Sequence, residues 1–513
     1  MNTVTYTSDR LELENVVAVL AGAGFQVERF RPVERTLLDT FDGRLHSAGV
    51  RLEVLRSVGL ELRLSADGPG SAQIAVDRVP SVAGDIPAGP LRARLAPILG
   101  VRALLPVVSV TSHQARALRR NGSDKLIVDV LLEDQPRLIP DTALSLPWAA
   151  ELCPLEGYPR AARQTEELLS SLGLTRRQGD LLDVAVEEAG IDRRGFVDSP
   201  TVLLDRSEPA AHAFRRVLAN LADTVDRNWS GTVEDTDPEF LHDLRVAVRR
   251  TRSVLSHGKD VLHPAGRDHF RAEFRWLGTI TSPARDLDVY VIEWPEYTAP
   301  LGCQSSEALA PIIDHIKNRQ AAEHRVLAEQ LRSARYQGLM SGWRAWLDAQ
   351  GDEDAKPKKS MRPLGGVVAS RLSGSQDQLL TRGRAIGPDT EAEELHELRK
   401  DAKKLRYLLE CFGGVFPAAP RKAFVKRLKA LQENLGEHQD TEVHTAQLQA
   451  MAKELEGSPT VTSETFLAIG RLTELFERRR LAARSLFAER FASYDTKTTA
   501  QALDDMLEAA REQ

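Results

Sequence analysis

The sequence predicts an α+β protein of two domains, an antiparallel sheet or barrel followed by an all-α half. Three observations predict it. Residues 1–150 read largely as short runs in which Val, Ile or Leu alternate with polar residues between Gly and Pro punctuation. From about Asp205 to Arg511 the pattern is almost wholly helical, rich in Ala, Leu, Glu and Arg. That helical half also repeats itself at a constant spacing, which is the signature of a duplicated unit.

Composition bounds the answer first. A chain of 513 residues suggests two to four domains. With 42% hydrophobic and 28% charged residues it is not a mainly disordered chain. The longest apolar run, Val16 to Phe25, is broken by Gly22 and Gly24 and falls short of the roughly 18 residues a membrane span needs, so no membrane partner is expected. The N-terminus, MNTVTYTSDR, lacks a basic-then-apolar signal pattern. Cys153, Cys303 and Cys411 lie more than a hundred residues apart, which points to no metal cluster, no disulfide framework and a cytoplasmic setting. Net charge is −6, and splitting the chain does not uncover a basic half: residues 1–200 carry 23 Lys and Arg against 27 Asp and Glu. Any polyanion site must come from local clustering. Arg outnumbers Lys 54 to 14, a bias that suits phosphate contacts but that base composition of a genome also produces.

In order along the chain, strands are expected at 37–41, 50–56, 60–65, 72–79 and 125–132, and one early helix from about Leu11 to Ala23, ending at Gly22 and Gly24. Residues 162–174 and 179–190 look helical, and Asp192 to Pro200 looks like a linker. The domain division is 1–175, a linker at 176–204, and 205–511, the last in two copies at about 205–350 and 364–511. Breaks between helices are expected at Gly258, Pro264, Pro283, Pro295, Gly302, Gly338 and Gly413–Gly414, and the charged stretch Gly351 to Pro363 reads as an internal linker.

The repeat carries the chemistry. HDLRVAVRRTR (242–252) lies over HELRKDAKKLR (396–406) at an offset of 154. His242 meets His396, Arg245 meets Arg399, Arg249 meets Lys403, Arg250 meets Lys404 and Arg252 meets Arg406. The same offset, without a gap, brings Arg275 onto Lys429 and Asp286 onto Asp440. Both copies begin as helices do: Asp237-Pro238-Glu239 supplies an N-cap and a first-turn proline, and Thr390 to Glu393 fits a capping box. At about 100° per residue, Arg249, Arg245 and Arg252 lie roughly 20°, 60° and 80° to one side of His242, and the second copy repeats those angles. Each copy thus presents one narrow stripe of ionisable or cationic side chains, flanked by Arg250 or Lys404. A basic run on a helix is ordinarily a solvated face laced with acids at i+3 and i+4. These stripes contain none, and the pattern recurs.

Cations repel metals, and the histidines have no second ligand at a metal spacing on the stripe, so no metal is expected there. A histidine base lacks a nucleophilic partner. Combs of Arg, Lys and His suit a chain of phosphates through charge-assisted hydrogen bonds. Nucleic acid is disfavoured, because only Tyr407 lies near the stripes and aromatics make up 5% of the chain. The candidate phosphate-binding set is His242, Arg245, Arg249, Arg250, Arg252, Arg275, His396, Arg399, Lys400, Lys403, Lys404, Arg406 and Lys429.

On these residues the segment 205–511 resembles the CHAD family, the conserved-histidine α-helical domain. His242, Arg245, Arg249 and Arg252 match its first signature and His396, Arg399, Lys403 and Arg406 its second; Arg285-Asp286-Leu287-Asp288 and Leu435-Gly436 through Asp440 also look like its patterns. The resemblance implies a pair of pseudo-symmetric four-helix bundles with a basic groove or pore, no cofactor, and inorganic polyphosphate as ligand, with the protein held at polyphosphate granules. The N-terminal part resembles a CYTH domain through LLDTFDGRLHSAGVRLEVLR (37–56), LELRLS (60–65), KLIVDVLLEDQ (125–135) and AELCPLEG (150–157). That implies an antiparallel β tunnel for triphosphate compounds, with Mg²⁺ or Mn²⁺ where such domains hydrolyse them. The family's Glu-x-Glu-x-Lys first strand is VTYTSDR here (4–10), and LEVL (52–55) departs from its basic pattern. Mg²⁺ beside phosphates needs carboxylates to hold it, so the domain is expected to be degenerate and the chain not to be an enzyme; the alternative is a metal-dependent triphosphatase or polyphosphatase. Asp129, Glu133, Glu151 and Glu156 are expected as solvated strand residues rather than an acidic face.

Overall fold

The computed structural model describes residues 4–8, 10–66, 71–140, 145–191, 202–349 and 357–512. The chain divides into two compact units, Met1–Asp198 and Ser199–Gln513. The expected linker Asp192 to Pro200 and residues 351–356 of the second lie outside the described residues.

The first unit is built on one antiparallel sheet. Its strands are β1 (Val4–Thr7), β2 (Gln26–Val27), β3 (Arg31–Asp39), β4 (Val50–Arg56), β5 (Leu60–Ala66), β6 (Ala72–Ala75), β7 (Leu105–Arg120), β8 (Leu126–Ile139), β9 (Ala149–Pro154) and β10 (Thr175–Gln178). They run in the order β10-β1-β9-β8-β7-β3-β4-β5-β6, with β2 on β7. Helices α1 (Leu13–Gly22), α2 (Arg44–Ser47), α3 (Pro90–Leu99), α4 (Pro159–Ser171) and α5 (Leu181–Glu188) join or cover them. The linker expected from residue 176 is not one at its start. Residues 175–178 pair with β1, and α5 buries Leu181, Leu182, Ala185 and Val186 against Leu37, Val108, Val110 and Leu138 of the sheet. Those four apolar side chains would be exposed on a linker, so burying them holds the segment in the first unit.

The second unit is helical: α6 (Ala210–Val233), α7 (Pro238–His257), α8 (Pro264–Ile280), α9 (Ser282–Thr298), α10 (Cys303–Ala308), α11 (Ala310–Arg332), α12 (Ala334–Asp348), α13 (Leu364–Ala385), α14 (Ala392–Cys411), α15 (Ala418–Glu454), α16 (Ser463–Tyr494) and α17 (Lys497–Arg511). The 154-residue spacing reaches further than the motifs. It carries the first residue of α6 onto that of α13, and both ends of α7 onto both ends of α14. It lays α8 and α9 together over the single long α15. The difference has a local cause. Pro283 sits in the first turn of α9 and has no N–H to continue α8, whereas the matching position is Glu437 and the helix runs on. Pro295 and Gly338, by contrast, lie inside α9 and α12 and end neither.

The two copies meet along a reciprocal seam. Pro209 bridges Pro363 in antiparallel sense. Ala210 N–H donates to Arg362 O at 2.9 Å and Leu364 N–H to Glu208 O at 2.9 Å; Ala211 N–H donates to Ser360 O at 3.0 Å and Gly365 N–H to Arg206 O at 2.9 Å. Each bond becomes its twin when 154 is added on one side and subtracted on the other, as a local two-fold relation requires. A single apolar core continues through both copies, with Phe214 of α6 against Phe412 just beyond α14 at 4.5 Å between ring centroids.

Candidate functional site

Helices α7 and α14 pack on each other and bring the two stripes together. Asp237 caps α7, accepting from the N–H groups of Glu239 and Phe240. At α14 the expected capping box does not form. Glu391 is the N-cap without a side-chain cap bond, because Thr390 Oγ1 is taken by the N–H of Gly387. Leu241, Leu244, Val248 and Leu255, with Leu395, Leu398, Leu405 and Leu409, bury the opposite faces, so the stripes are held by a fixed core.

The equivalent histidines make equivalent contacts with different partners. His242 Nδ1 lies 2.9 Å from Arg285 Nη2, and His396 Nδ1 lies 2.8 Å from Gln439 Oε1; 285 and 439 are themselves 154 apart. Arginine only donates, so His242 Nδ1 is the acceptor and the ring proton sits on Nε2. Arg285 Nη1 also donates to Pro238 O at 3.1 Å.

Arg245 and Arg399 diverge more. Arg245 Nη1 donates to Gly278 O (3.2 Å), Thr281 Oγ1 (2.9 Å) and Ser282 Oγ (3.0 Å), all neutral groups at the α8–α9 break. Burial, with Arg249 beside it, lowers its pKa to about 10. Arg399 instead pairs with Asp440 at 2.9 Å. Lys403 is lowered to about 8, by burial first and then by the charges of Arg399 and Arg249. That Arg249 of the first copy acts on Lys403 of the second brings the two stripes within one electrostatic neighbourhood. Buried Nε atoms of Arg245, Arg249 and Arg399 have no hydrogen-bond partner. Arg252 is depressed by burial and by Arg275 and Arg271, and lines with Arg275, Gly278, Thr279, Ser282, Pro283 and Asp286 a surface pocket of about 560 Å³.

Other candidates stand apart. Arg250 reaches across to Glu410 at 3.0 Å, and Glu410 also takes Arg406 at 3.2 Å. Lys400 pairs with Glu397, Lys404 with Asp401 and Lys429 with Glu433. The stripes carry no acids of their own, but acids reach them from outside the stripe: Asp440 pairs with Arg399, Glu410 with Arg406, and Asp286 acts on Arg245 and Arg249. At the flanks, acids on the same helix are one turn away. Arg285, Thr281, Ser282 and Gln439 lay outside the candidate set, although Arg285 and the segment containing Gln439 fall in patterns that resemble the family. Arg285 and Gln439 were findable, since the constant offset that joins His242 to His396 joins them too.

The first unit contains a second charged cluster, of opposite character. Arg35 of β3 is buried, with Glu133 at 3.1 Å and Glu151 at 3.4 Å on Nη1 and Glu53 at 3.0 Å and Asp180 at 2.5 Å on Nη2. Arg51 of β4 binds Glu53, Asp180 and Asp183. Burial pulls Arg35 down, but the four carboxylates outweigh it and hold its pKa far above the usual value. Burial likewise raises Glu151 strongly, while Arg35 and Arg51 overcome burial and lower Asp180. Asp129, Glu133 and Glu151 were expected in solvent. They are buried, at 2%, 0% and 4% exposure, because the sheet turns its polar face inward against Arg35 and α5, and Asp129 pairs with Arg116. Glu156 is exposed as expected. Among the described residues no group of three or more His, Cys, Asp or Glu could hold a metal ion, and no helix is long and apolar enough to cross a membrane.

Residues 216–449 match the CHAD domain family. Two uncharacterized proteins, from two strains of Mycobacterium tuberculosis, are each 26% identical to this chain over 308 residues, which is 56% of this chain and 56% of theirs; the chain thus spans about half the length of the curated relatives it matches. Among solved structures, the CHAD domain from the plant Ricinus communis is 26% identical with a TM-score of 0.46, covering 60% of this chain and 96% of that one. PptA from Streptomyces chartreusis is 17% identical with a TM-score of 0.43, covering 55% and 99%. HpAC1 from Hippeastrum, described by a dominant triphosphatase activity, is 13% identical with a TM-score of 0.28, covering 37% and 96%.

Proposed function

We propose that this chain, whose residues 216–449 match the CHAD domain, binds inorganic polyphosphate along the paired stripes of α7 and α14 and is held by it at polyphosphate granules in the cytoplasm. One observation carries this reading: the inner stripe half-buries Arg245, Arg249 and Lys403 close to one another, with unpartnered Nε atoms on Arg245 and Arg249, and the acids acting on them, Asp286 and Asp440, do not restore their charge balance, since Arg245 and Lys403 are both lowered. Taking cations out of water beside other cations, with too few acids to balance them, is costly. A chain of phosphates is the compensation that the geometry lacks, and each charge-assisted contact it makes is worth about 1.5–3 kcal/mol. Histidine Nε2–H of His242 adds a donor without adding charge.

The rival reading, a metal-dependent triphosphatase in the first unit, finds less support. A divalent cation would need carboxylate oxygens, and those of Glu53, Glu133, Glu151 and Asp180 already surround Arg35. The donor set does not fit a metal while Arg35 remains there.

The test is titration calorimetry with long-chain polyphosphate at two salt concentrations. Binding should weaken steeply with salt, because a polyanion releases condensed counterions. Arg249→Ala combined with Lys403→Ala should weaken binding far more than either change alone. Normal binding by the double variant would remove the main support. Phosphate release from tripolyphosphate with Mg²⁺ or Mn²⁺, abolished by Glu151→Gln, would favour the rival.

A further inference from the structure

Behind the first stripe lies a buried acid–histidine pair that the second copy lacks. Asp288 of α9 is 1% exposed. Its Oδ1 accepts from Gln320 Nε2 at 2.7 Å and from His324 Nε2 at 2.8 Å, both on α11, while its Oδ2 has no hydrogen-bond partner. His324 Nδ1 lies 3.1 Å from Asp235 in the turn between α6 and α7. Two carboxylates therefore face this imidazole, Asp288 from α9 and Asp235 from that turn. Burial would lower the His324 pKa, but the bond to Asp288 and the charges of both acids raise it.

Asp288 also serves Arg285, one turn earlier on α9. Burial lowers the Arg285 pKa, and Asp288 is the foremost charge supporting it; Glu239 and Asp243 add to that support and Arg249 opposes it. Arg285 is the residue that donates to His242. The second copy keeps an acid at one of the three positions and differs in kind at the other two. At the offset of 154, Arg285 becomes Gln439, Asp288 becomes Glu442 and His324 becomes Arg478, which pairs with Glu474 on its own helix. Where the histidine of the stripe is held by a neutral amide, the acid is the half-buried Glu442 and the histidine at 324 has no counterpart.

We propose that Asp288 and His324 are proton-sensitive positioning residues for the first stripe, setting how firmly Arg285 holds His242 toward the bound anion. With His324 charged, Asp288 is shared between two cations and Arg285 stays on His242 Nδ1. When His324 loses its proton, the charge of Asp288 falls on Arg285 alone and draws the guanidinium off His242 and back from the stripe. The sign follows from the direction of the shift. A histidine raised above its ordinary 6.5 keeps its proton through that pH and releases it above, so the first stripe loosens as pH rises. The effect on affinity rests on the polyphosphate reading; the effect on His242 does not.

The experiment is therefore run in two arms on the full chain, with histidine-selective NMR and with polyphosphate titration. In the first arm, His324 should titrate above 6.5, Asp288→Asn should bring it below, and the His242 ring signals should step at the pH where His324 titrates. His324→Gln, which keeps a donor toward Asp288 but no charge, should abolish the step. In the second arm, in a Lys403→Arg background, wild-type affinity should fall about fivefold across that step, a usual size for coupled sites, and His324→Gln should bind at every pH as the deprotonated protein does. A His242 signal indifferent to His324 overturns the proposal, as does a His324 that titrates at or below 6.5. If the NMR step is present but no polyphosphate binds at any pH, the positioning pair stands and the ligand assignment falls.

Discussion

Arg35, buried, and Arg245, half-buried, are both arginines on regular elements, and they are opposites. Arg35 has four carboxylates on two nitrogens and a pKa driven upward. Arg245 donates to a carbonyl and two hydroxyls, and burial with the charges of Arg249 and Arg285 outweighs Asp286 and lowers its pKa to about 10. A buried guanidinium that its own fold neutralises is structure. One whose hydrogen bonds all go to neutral groups keeps its charge poorly matched, which is what a candidate anion site would look like. Burial alone, or charge alone, does not separate the two; the partners do.

The largest effect that would break this contrast is on stability. Arg35→Met should destabilise the first unit by about 3–5 kcal/mol, because it strands several buried carboxylates without a cation. Arg245→Met should cost less than about 1 kcal/mol, since Thr281 and Ser282 already donate to Leu277 O and Gly278 O and remain satisfied. Urea unfolding of both variants measures this, and equal losses would erase the distinction.

A smaller effect concerns pH. Lys403, at about 8 when empty, should be recharged by a bound polyanion, so binding takes up a proton above pH 8. Affinity should fall about tenfold between pH 7 and 9 on this account, and Lys403→Arg should flatten that part of the curve. Stability of the empty protein has the opposite sign. The unfolded chain keeps this proton up to the ordinary lysine range, so folding gains from about pH 8 upward as the native lysine becomes neutral. Calorimetry in two buffers of different ionisation enthalpy counts the protons directly.

The smallest effects belong to the flanks. Lys404→Ala and Lys429→Ala remove exposed cations paired with Asp401 and Glu433, and each should change affinity less than about twofold, consistent with the weak energies of surface pairs. Losses as large as that of Arg249→Ala would mean that charge density rather than the inner stripe governs binding.

Much of the helical unit was legible because one number, the 154-residue offset, places α6, α7, α13 and α14 and pairs their cations. Pro283 was legible as a break since proline cannot donate, while Pro295 was not, because its helix continues around it. The first unit was less open. β7 was not anticipated, as LPVVSVTSHQARALRR mixes charges and small polar residues along a strand whose two faces are both partly covered. The Arg35 cluster joins residues up to 145 positions apart, and no local pattern announces it. Alternation along β8 and β9 separates two faces but does not say which is inside, and here the acids are. The capping box at Thr390 failed for a similar reason: the spacing was right, but the hydroxyl had a nearer donor in Gly387.

The reciprocal seam at Pro209 and Pro363 has a consequence for the ligand's own shape. Near a two-fold axis, every side chain meets its own counterpart, so a cation in the ancestral half meets a cation in the other, as Arg249 meets Lys403. A path that crosses such an axis at right angles reads the same in either direction. A strand of nucleic acid has a head and a tail and would satisfy the two halves unequally. A linear phosphate chain is a palindrome, identical read from either end, and bound across the axis it would present the same oxygens to α7 as to α14 whichever way it entered.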